Sequence, residues 1–188
     1  MINYITTPNF LSKKECEDLL QFSLTKKLRP ATIDNDNVVN LKSRKSNIFF
    51  YDYSLDFPNL NKKLINIFKK EVNVKGYNID FTNNKFQFTE YTKDGYYNWH
   101  EDSGNENEVF SKRYCSMVIQ LSDDYIGGEL QIKDENNNEI TLERGLGNLF
   151  LFYSHITHRV KPVVSGTRYS LVNWFTLTPI ENFKKTLI

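Results

Sequence analysis

Two residues with metal-binding side chains stand two positions apart in the segment YNWHEDS (97–103). Only three histidines occur among the 188 residues of the chain. One of them, His100, precedes Asp102 by two positions, and in an extended segment such residues point to the same side. An imidazole and a carboxylate on one side of a strand could bind one metal ion together with a third ligand from a distant strand. The candidates for that ligand are His155 and His158.

Such a ligand set would have a specific chemistry. Two histidines and one carboxylate on one face of an octahedron leave three positions open, which is typical of non-haem Fe(II) oxygenases. The pair of His100 and Asp102 is a weak signal by itself, because a histidine close to an aspartate is most often part of a hydrogen-bonded surface pair. A metal site therefore requires that the fold bring a third ligand close to His100 and Asp102.

Two segments ahead of this pair have helical periodicity. Ser12 is a candidate N-cap for KKECEDLLQFSL, in which apolar residues recur at helical spacing. A second helix is predicted over 59–70, with Pro58 suited to its first turn. The polar stretch 26–47 between the two helices is expected to be a long loop.

After residue 80 the pattern changes to short runs rich in β-branched and aromatic residues, separated by turn signals. The predicted strands are 85–91, 115–121, 129–132, 140–142, 148–153, 158–163 and 168–177. Gly127-Gly128 and Gly145/Gly147 are interpreted as turn glycines rather than a phosphate loop, because no Gly-Lys-Ser/Thr follows and strands flank them. About eight short strands predict a mostly β jelly roll with flanking α-helices, the N-terminal helices being packed on one outer face.

Composition and charge limit the class of protein. Apolar residues make up 39% of the chain, which suffices for one domain over 1–188, with a helical part over about 1–80 and a β core over about 81–180. The formal net charge of +1 gives no support to a nucleic-acid partner. The two cysteines form neither a metal pair nor a disulfide framework. Because neither a signal peptide nor an apolar run of membrane-spanning length is evident, we expect a cytoplasmic protein without a membrane partner.

Several motifs in residues 88–175 resemble the 2-oxoglutarate- and Fe(II)-dependent dioxygenases, in particular the prolyl 4-hydroxylase-like, PKHD-type branch. The similarity is carried by Tyr91 nine positions before His100, by SKRYCSMVIQLSDDYIGGEL (111–130) and by GLGNLFLFYSHITHRVKPVVSGTRYSLVNWF (145–175). These motifs follow the family's order over almost half of the chain. The resemblance implies a double-stranded β-helix (jelly-roll, cupin-like) core. It also implies Fe(II), 2-oxoglutarate and O2 as cofactors, with ascorbate as a candidate reductant.

The resemblance also selects the third metal ligand. In the family, a basic residue follows the distal histidine by about ten positions and binds the far carboxylate of 2-oxoglutarate. Arg168 stands ten positions after His158, whereas Ser165 stands ten positions after His155. Arg168 is therefore the implied anchor, since a guanidinium binds a carboxylate through a charge-assisted fork. The implied metal ligands are His100, Asp102 and His158, and these three with Arg168 form the implied catalytic set. His155 is expected in a loop or at the rim of the site.

Two further side chains are implied to contact 2-oxoglutarate. Tyr91 matches a tyrosine whose hydroxyl reaches the same carboxylate, and the alternative is a tyrosine of the barrel core. Gln120 shares a strand face with Ser116 and Val118 and interrupts an apolar run, where a buried amide needs a partner. Four aromatic residues are candidates for the substrate mouth, with ordinary packing as the preferred interpretation of each: Tyr97, Trp99, Tyr114 and Trp174.

The resemblance implies an enzyme that hydroxylates an unactivated C–H bond while 2-oxoglutarate is converted into succinate and CO2. The specific prediction is a prolyl hydroxylase-like enzyme acting on a peptide or protein, and the alternative is a hydroxylase of a free amino acid or another small molecule. A nucleic-acid demethylase is disfavoured because the second arginine of that family, six positions after Arg168, is replaced by Trp174. A non-catalytic jelly-roll binding module is disfavoured because no ligand is missing. Specificity is expected in 26–47 and 104–113, the latter as a mobile lid.

Overall fold

A computed structural model of the chain describes residues 4–32, 39–52, 57–72, 77–81, 85–103 and 113–179. Within these ranges the chain forms two helices and fifteen strands, so the prediction of a mostly β protein with flanking helices is confirmed. The strands are β1 (Tyr4–Thr7), β2 (Arg29–Pro30), β3 (Arg44–Lys45), β4 (Asn47–Asp52), β5 (Tyr77–Phe81), β6 (Lys85–Tyr91), β7 (Tyr96–His100), β8 (Arg113–Gln120), β9 (Tyr125–Gly127), β10 (Leu130–Lys133), β11 (Glu139–Thr141), β12 (Leu149–Tyr153), β13 (His158–Val160), β14 (Val163–Gly166) and β15 (Arg168–Pro179).

Both predicted helices are confirmed. Helix α1 (Lys13–Leu24) begins with a capping box, in which the Ser12 hydroxyl accepts from the backbone N–H of Glu15 and the Glu15 carboxylate accepts from the backbone N–H of Ser12. Helix α2 (Pro58–Glu71) has proline in its first turn. The apolar side of each helix is buried, through Cys16 and Leu19 in α1 and through Leu60, Leu64 and Phe68 in α2.

The strands form two antiparallel sheets and a short ribbon. The eight-stranded sheet has the order β1-β12-β8-β15-β6-β4-β2, with β5 also paired to β15. The five-stranded sheet has the order β11-β10-β13-β7-β3, and β9 pairs with β14 in the ribbon. Apart from hairpin pairs such as β10 and β11, many neighbours in these sheets are far apart in sequence, so residues of distant segments come together in the sheets.

The alternation of side chains along β8 joins two apolar clusters. Met117 and Ile119 belong to the cluster that contains Leu64 and Phe68 of α2. Val118 belongs to the second cluster, which includes residues of β10 and β13 in the five-stranded sheet. The eight-stranded sheet therefore contacts the helices through one face and the five-stranded sheet through the other.

The structure differs from the sequence prediction in three places. The stretch 26–47, expected to be a loop, contains β2, β3 and the first residue of β4. The region of about 1–80, expected to be helical, also contributes strands to both sheets, because long-range pairing overrides the weak local alternation of these short segments. The predicted strand 158–163 is divided at Pro162, which has no N–H for a ladder and whose carbonyl accepts instead from Gly128.

Gly147 fixes the approach of the N-terminal segment to the sheet. Its φ is +76°, a conformation that favours glycine, and a Cβ atom placed there would lie 2.1 Å from the carbonyl oxygen of Leu11. The backbone N–H of Leu11 donates to the Gly147 carbonyl at 3.1 Å. Only glycine permits this close contact between the α1 entry and the turn before β12.

The state of the two cysteines and the character of the helices complete the description of the fold. Cys16 and Cys115 are both buried and free, as expected from their spacing. Neither helix within the described ranges has the length and apolar character needed to cross a bilayer.

Candidate metal centre

The pairing of two strands brings His100 and His158 side by side, although 58 positions of sequence separate them. His100 is the last residue of β7 and His158 the first residue of β13, and their Cα atoms are partners in the antiparallel pairing of these strands. Asp102 follows two residues after the end of β7. Its backbone N–H donates to the carbonyl of Ser154 at 2.8 Å, which holds the turn beside the start of β13.

The two imidazoles direct the same ring atom at the Asp102 carboxylate. Nε2 of His100 lies 3.7 Å from Oδ1 of Asp102, and Nε2 of His158 lies 3.5 Å from Oδ2. Each Nδ1 lies 2.8 Å from a backbone carbonyl, that of Asn98 for His100 and that of Ile156 for His158. Because a carbonyl only accepts, each Nδ1 carries the proton and each Nε2 presents a lone pair to the centre. The ligand atoms of the three residues lie within 4.8 Å of one another, so they could hold a metal ion.

Two serines that the sequence analysis did not assign to the centre support the carboxylate. The Ser116 hydroxyl donates to Oδ2 of Asp102 at 2.7 Å and lies 3.0 Å from the Ser154 hydroxyl. Both serines are buried. The sequence could have indicated Ser116, because this serine shares a face of β8 with Gln120. Ser154 is brought to the centre only by the pairing of β12 with β8. Hydrogen bonds of this kind fix the orientation of a metal ligand.

Burial and neighbouring groups set the charges of the cluster. Burial, together with the nearby His158 ring, lowers the pKa of His100 to about 3, so this ring is neutral at physiological pH. Burial opposes ionisation of Asp102, but His158, His100 and the Ser116 hydroxyl outweigh it and lower the pKa of Asp102 to about 2. A neutral imidazole and an ionised carboxylate are the protonation states that metal binding requires.

The third histidine of the chain lies apart from this cluster. His155 is exposed, and its ring stacks on Tyr153 with centroids 5.6 Å apart. Among the described residues, the cluster with metal-ligand geometry contains His158 and not His155. His158, rather than His155, is thus the histidine that lies close enough to His100 and Asp102 to share a metal ion with them.

Arg168 reaches the same cavity from the first position of β15. It is 1% exposed, and its Nη1 donates to the Ser170 hydroxyl at 3.2 Å. Its Nε and Nη2 are buried without a hydrogen-bond partner among the described residues. Gly128 leaves room for its stem, since a Cβ there would lie 3.2 Å from Cδ of Arg168. Two buried, unpaired donors in one plane fit a carboxylate, which is the chemistry expected of a 2-oxoglutarate anchor.

A cavity of about 290 Å³ joins Arg168 to the histidine–aspartate cluster. Tyr91, which is 4% exposed, lines this cavity, and the Arg168 guanidinium lies 5.2 Å from its ring centroid. Gln120 is buried but does not line the cavity, and its amide donates to the Ser122 carbonyl and the Tyr125 hydroxyl, each at 2.9 Å. The partner that its buried amide requires is thus supplied within the protein.

The four aromatic candidates for the substrate mouth fall into two pairs. Tyr97 and Trp174 line the cavity, and the Tyr97 ring stacks on His100 with centroids 3.5 Å apart. Trp99 and Tyr114 do not line it: Trp99 contacts Arg159 and Lys133, and Tyr114 packs against Tyr153. Packing explains the second pair, as the sequence analysis preferred.

Two arginines of the cavity were not identified from the sequence. Arg44 of β3 packs against the ring of Tyr97, and Arg113 of β8 packs against the ring of Trp174. Burial lowers the pKa of Arg113 to about 10, which still leaves it charged. No spacing rule links either residue to the metal ligands, so only the fold reveals them.

Residues 86–176 match the family model of the 2OG-Fe(II) oxygenase superfamily. This segment, slightly less than half of the chain, is similar to members of that superfamily. The match contains the histidine–aspartate cluster and Arg168, and the family implies Fe(II), 2-oxoglutarate and O2 as cofactors. The donor set fits Fe(II), since two imidazoles and a carboxylate leave positions open on the metal. The described residues thus contain groups suited to both the metal and the cosubstrate.

Curated proteins similar to this segment include PKHD-type hydroxylases. One from Idiomarina loihiensis is 31% identical over 98 residues, which cover 52% of this chain and 44% of the relative. Another, from Gloeothece citriformis, is 33% identical over 89 residues, covering 46% of this chain and 40% of the relative. The chain spans less than half the length of these relatives.

Solved structures confirm the jelly-roll prediction. A prolyl-4-hydroxylase from Pseudomonas putida superposes with a TM-score of 0.72 at 21% identity, covering 93% of this chain and 92% of that one. A prolyl hydroxylase from Trichoplax adhaerens, in complex with a hypoxia inducible factor peptide fragment, gives a TM-score of 0.78 at 19% identity, covering 93% and 83%. At these identities the likeness concerns the fold.

Proposed function

We propose that residues 1–188 form one Fe(II)- and 2-oxoglutarate-dependent dioxygenase domain that hydroxylates an unactivated C–H bond of a peptide or protein, in the manner of a prolyl hydroxylase. The observation that carries the proposal is the placement of His100, Asp102 and His158 in the same cavity as Arg168. The metal ligands and the cosubstrate anchor of such an enzyme must share one cavity, because 2-oxoglutarate contacts both.

In this proposal His100, Asp102 and His158 hold Fe(II) through two Nε2 atoms and a carboxylate oxygen. The Nδ1 hydrogen bonds to backbone carbonyls keep the rings in the correct tautomer, and Ser116 keeps the carboxylate in place. When bound, Fe(II) with 2-oxoglutarate and O2 supplies the oxidising power for hydroxylation, and 2-oxoglutarate is converted into succinate and CO2.

Arg168 is proposed to bind the far carboxylate of 2-oxoglutarate through Nε and Nη2. Binding would give both buried donors the partners that they lack within the described protein. Tyr91 lines the cavity beside Arg168, and its hydroxyl is proposed to donate a hydrogen bond to the same carboxylate. Gln120 stays a prediction as a weaker contact of 2-oxoglutarate; its amide donates to Ser122 and Tyr125, and it does not line the cavity.

The remaining wall of the cavity is suited to excluding water from the reaction. Its aliphatic members are contributed by both sheets, namely Ile48, Val118, Leu130, Val160 and Val172. Trp174 adds a large ring whose Nε1–H is buried without a hydrogen-bond partner among the described residues. A carbonyl of a bound peptide is the kind of acceptor that would satisfy this donor.

The substrate class is supported by the likeness to prolyl hydroxylases, one of which was solved with a peptide fragment. Of the two segments expected to set specificity, 26–47 contributes Thr32 and Arg44 to the cavity. The proposed lid, 104–113, lies outside the described residues except for Arg113. Ascorbate stays a candidate reductant, and no nucleic-acid or membrane partner is proposed.

Succinate formation tests this function. The purified chain is incubated in air with Fe(II) and 2-oxoglutarate, and succinate is measured for the wild type and for His158→Ala and Asp102→Ala. We expect slow succinate formation without substrate in the wild type and none in either variant. His155→Ala is the matched control, since it removes an exposed histidine from the turn just before β13 and should keep wild-type activity. Equal activity in His158→Ala and the wild type would refute the proposed ligand set.

A further inference from the structure

Arg44 is a buried arginine on the wall of the active-site cavity that the metal and the cosubstrate do not account for. It belongs to β3, is 6% exposed and lines the cavity together with the metal cluster and Arg168. It is the Cα partner of Tyr97, which precedes His100 by three positions on β7. The pairing of β3 with β7 thus holds a guanidinium near the metal centre from the edge of the five-stranded sheet.

The contacts of Arg44 leave its charge without an acidic partner. Nε donates to the Ser46 hydroxyl at 2.7 Å, and Cζ lies 4.6 Å from the ring centroid of Tyr97. Within the described part of the chain no carboxylate lies within 4 Å of it, whereas Arg159 pairs with Glu139 at 2.9 Å. Buried charges are as a rule paired with an opposite charge, so a buried arginine that has no carboxylate partner among the described residues indicates a ligand with negative charge.

The charges on the cavity wall point to the same kind of ligand. Among the residues that the structure describes, the lining contains three arginines (Arg44, Arg113 and Arg168) and two carboxylates (Glu101 and Asp102), which leaves one positive charge. Bound Fe(II) and the 2-oxoglutarate dianion would add two positive and two negative charges and would not change this balance. One positive charge therefore remains for the substrate.

We propose that Arg44 binds a carboxylate of the substrate, so that the substrate carries a carboxylate close to the carbon that is hydroxylated. The Tyr97 ring contacts both the Arg44 guanidinium and the His100 ring, so the proposed carboxylate site lies beside the candidate metal centre. The inference rests on the proposed function, because it assigns the substrate class of the same site. Two sources would present the same group: the main-chain carboxylate of a small molecule and the acidic side chain of a peptide.

Two pairs of probes that differ only in charge distinguish these sources. The first pair is N-acetyl-L-proline and N-acetyl-L-prolinamide, and the second is a blocked Glu-Pro-Gly peptide and its Gln-Pro-Gly counterpart. Affinities are measured by calorimetry under nitrogen, with Fe(II) and 2-oxoglutarate present, so that binding is observed without turnover. We expect the wild type to prefer the charged member of at least one pair by about 10- to 100-fold, which corresponds to one charge-assisted hydrogen-bonding group.

Arg44→Gln should remove that preference, with the neutral probe bound within about twofold of wild type. Arg29→Gln is the matched control, because it removes an equal charge from an exposed position on β2 outside the cavity, and it should keep the preference. Arg44→Lys retains the charge and should keep part of the preference, which separates loss of the carboxylate contact from failure to fold. Preference for N-acetyl-L-proline alone assigns a small-molecule carboxylate, and preference for the Glu-Pro-Gly peptide alone assigns an acidic side chain.

Equal affinity for the charged and neutral members of both pairs in the wild type would overturn the inference, as would an undiminished preference in folded Arg44→Gln. Succinate formation without any probe is measured on the same preparation. If it occurs while the probes are not distinguished, the inference about Arg44 fails and the proposed function stands. If neither succinate formation nor Fe(II) binding occurs, the proposed function itself fails.

Discussion

Replacing Arg168 with methionine should make the protein more stable while abolishing its response to 2-oxoglutarate. Methionine keeps the apolar stem that packs beside Gly128 and removes the guanidinium. In the protein without ligand, Nε and Nη2 of Arg168 are buried and unpaired among the described residues. Each such donor costs about 1–3 kcal/mol, and the lost bond from Nη1 to Ser170 had contributed only about 0.5–1.5 kcal/mol.

With two such donors, the costs removed exceed the bond lost, and the expected gain in the free energy of unfolding is about 0.5–5.5 kcal/mol. For a chain of this length that gain raises Tm by roughly 2–4 °C per kcal/mol. The assay is thermal and urea unfolding with and without saturating 2-oxoglutarate in the presence of Mn(II). The wild type should be stabilised by 2-oxoglutarate, and Arg168→Met should not.

Arg144→Met provides the contrast for this experiment. The guanidinium of Arg144 donates to the carbonyls of Tyr125 and Gly127, so its donors are already paired. Its loss should destabilise the protein and leave the stabilisation by 2-oxoglutarate in place. A less stable Arg168→Met, or one still stabilised by 2-oxoglutarate, would show that Arg168 has a structural partner and is not the anchor.

Three other changes have expected outcomes. Ser116→Ala removes the hydroxyl that donates to Asp102 and should weaken Mn(II) binding about 10-fold by calorimetry, with far-ultraviolet circular dichroism unchanged; unaltered affinity would count against a supporting role. Tyr91→Phe should raise the 2-oxoglutarate concentration at half-maximal succinate formation by about 10-fold, whereas an unchanged value would assign Tyr91 to packing. Gly147→Ala should lower the free energy of unfolding by more than about 2 kcal/mol, because its Cβ would lie 2.1 Å from the Leu11 carbonyl oxygen at a φ of +76°; a midpoint in urea equal to that of the wild type would contradict this.

The residues of the candidate metal centre could be predicted because their spacing is local or matches a family motif. His100 and Asp102 are two positions apart, and Arg168 follows His158 by ten. Helix α1 could also be predicted from the sequence, since its capping box lies within four consecutive residues. Each of these features is determined within a single short segment of the chain.

Features that depend on pairing between distant strands could not be predicted in this way. Ser154 supports the centre only because β12 pairs with β8, where Ser116 is the partner of Phe152. Arg44 lies in a two-residue strand inside a polar stretch, and it enters the cavity because β3 pairs with β7. A strand of two residues is too short to show an alternation of buried and exposed side chains. Its register therefore cannot be predicted from the sequence and is set by pairing in the folded sheet.

The same dependence on register explains how the five-stranded sheet positions both the candidate metal centre and Arg44 in the cavity. Because β7 lies between β3 and β13, a single strand places His100 beside His158 on one side and Tyr97 beside Arg44 on the other. A shift of β7 by one residue would turn His100 away from the cavity and would also move Tyr97 out of contact with Arg44. The metal centre and the proposed carboxylate site therefore share one structural requirement, so a change in β7 that disturbs its register should impair metal binding and substrate selection together, whereas Arg44→Gln should impair substrate selection alone.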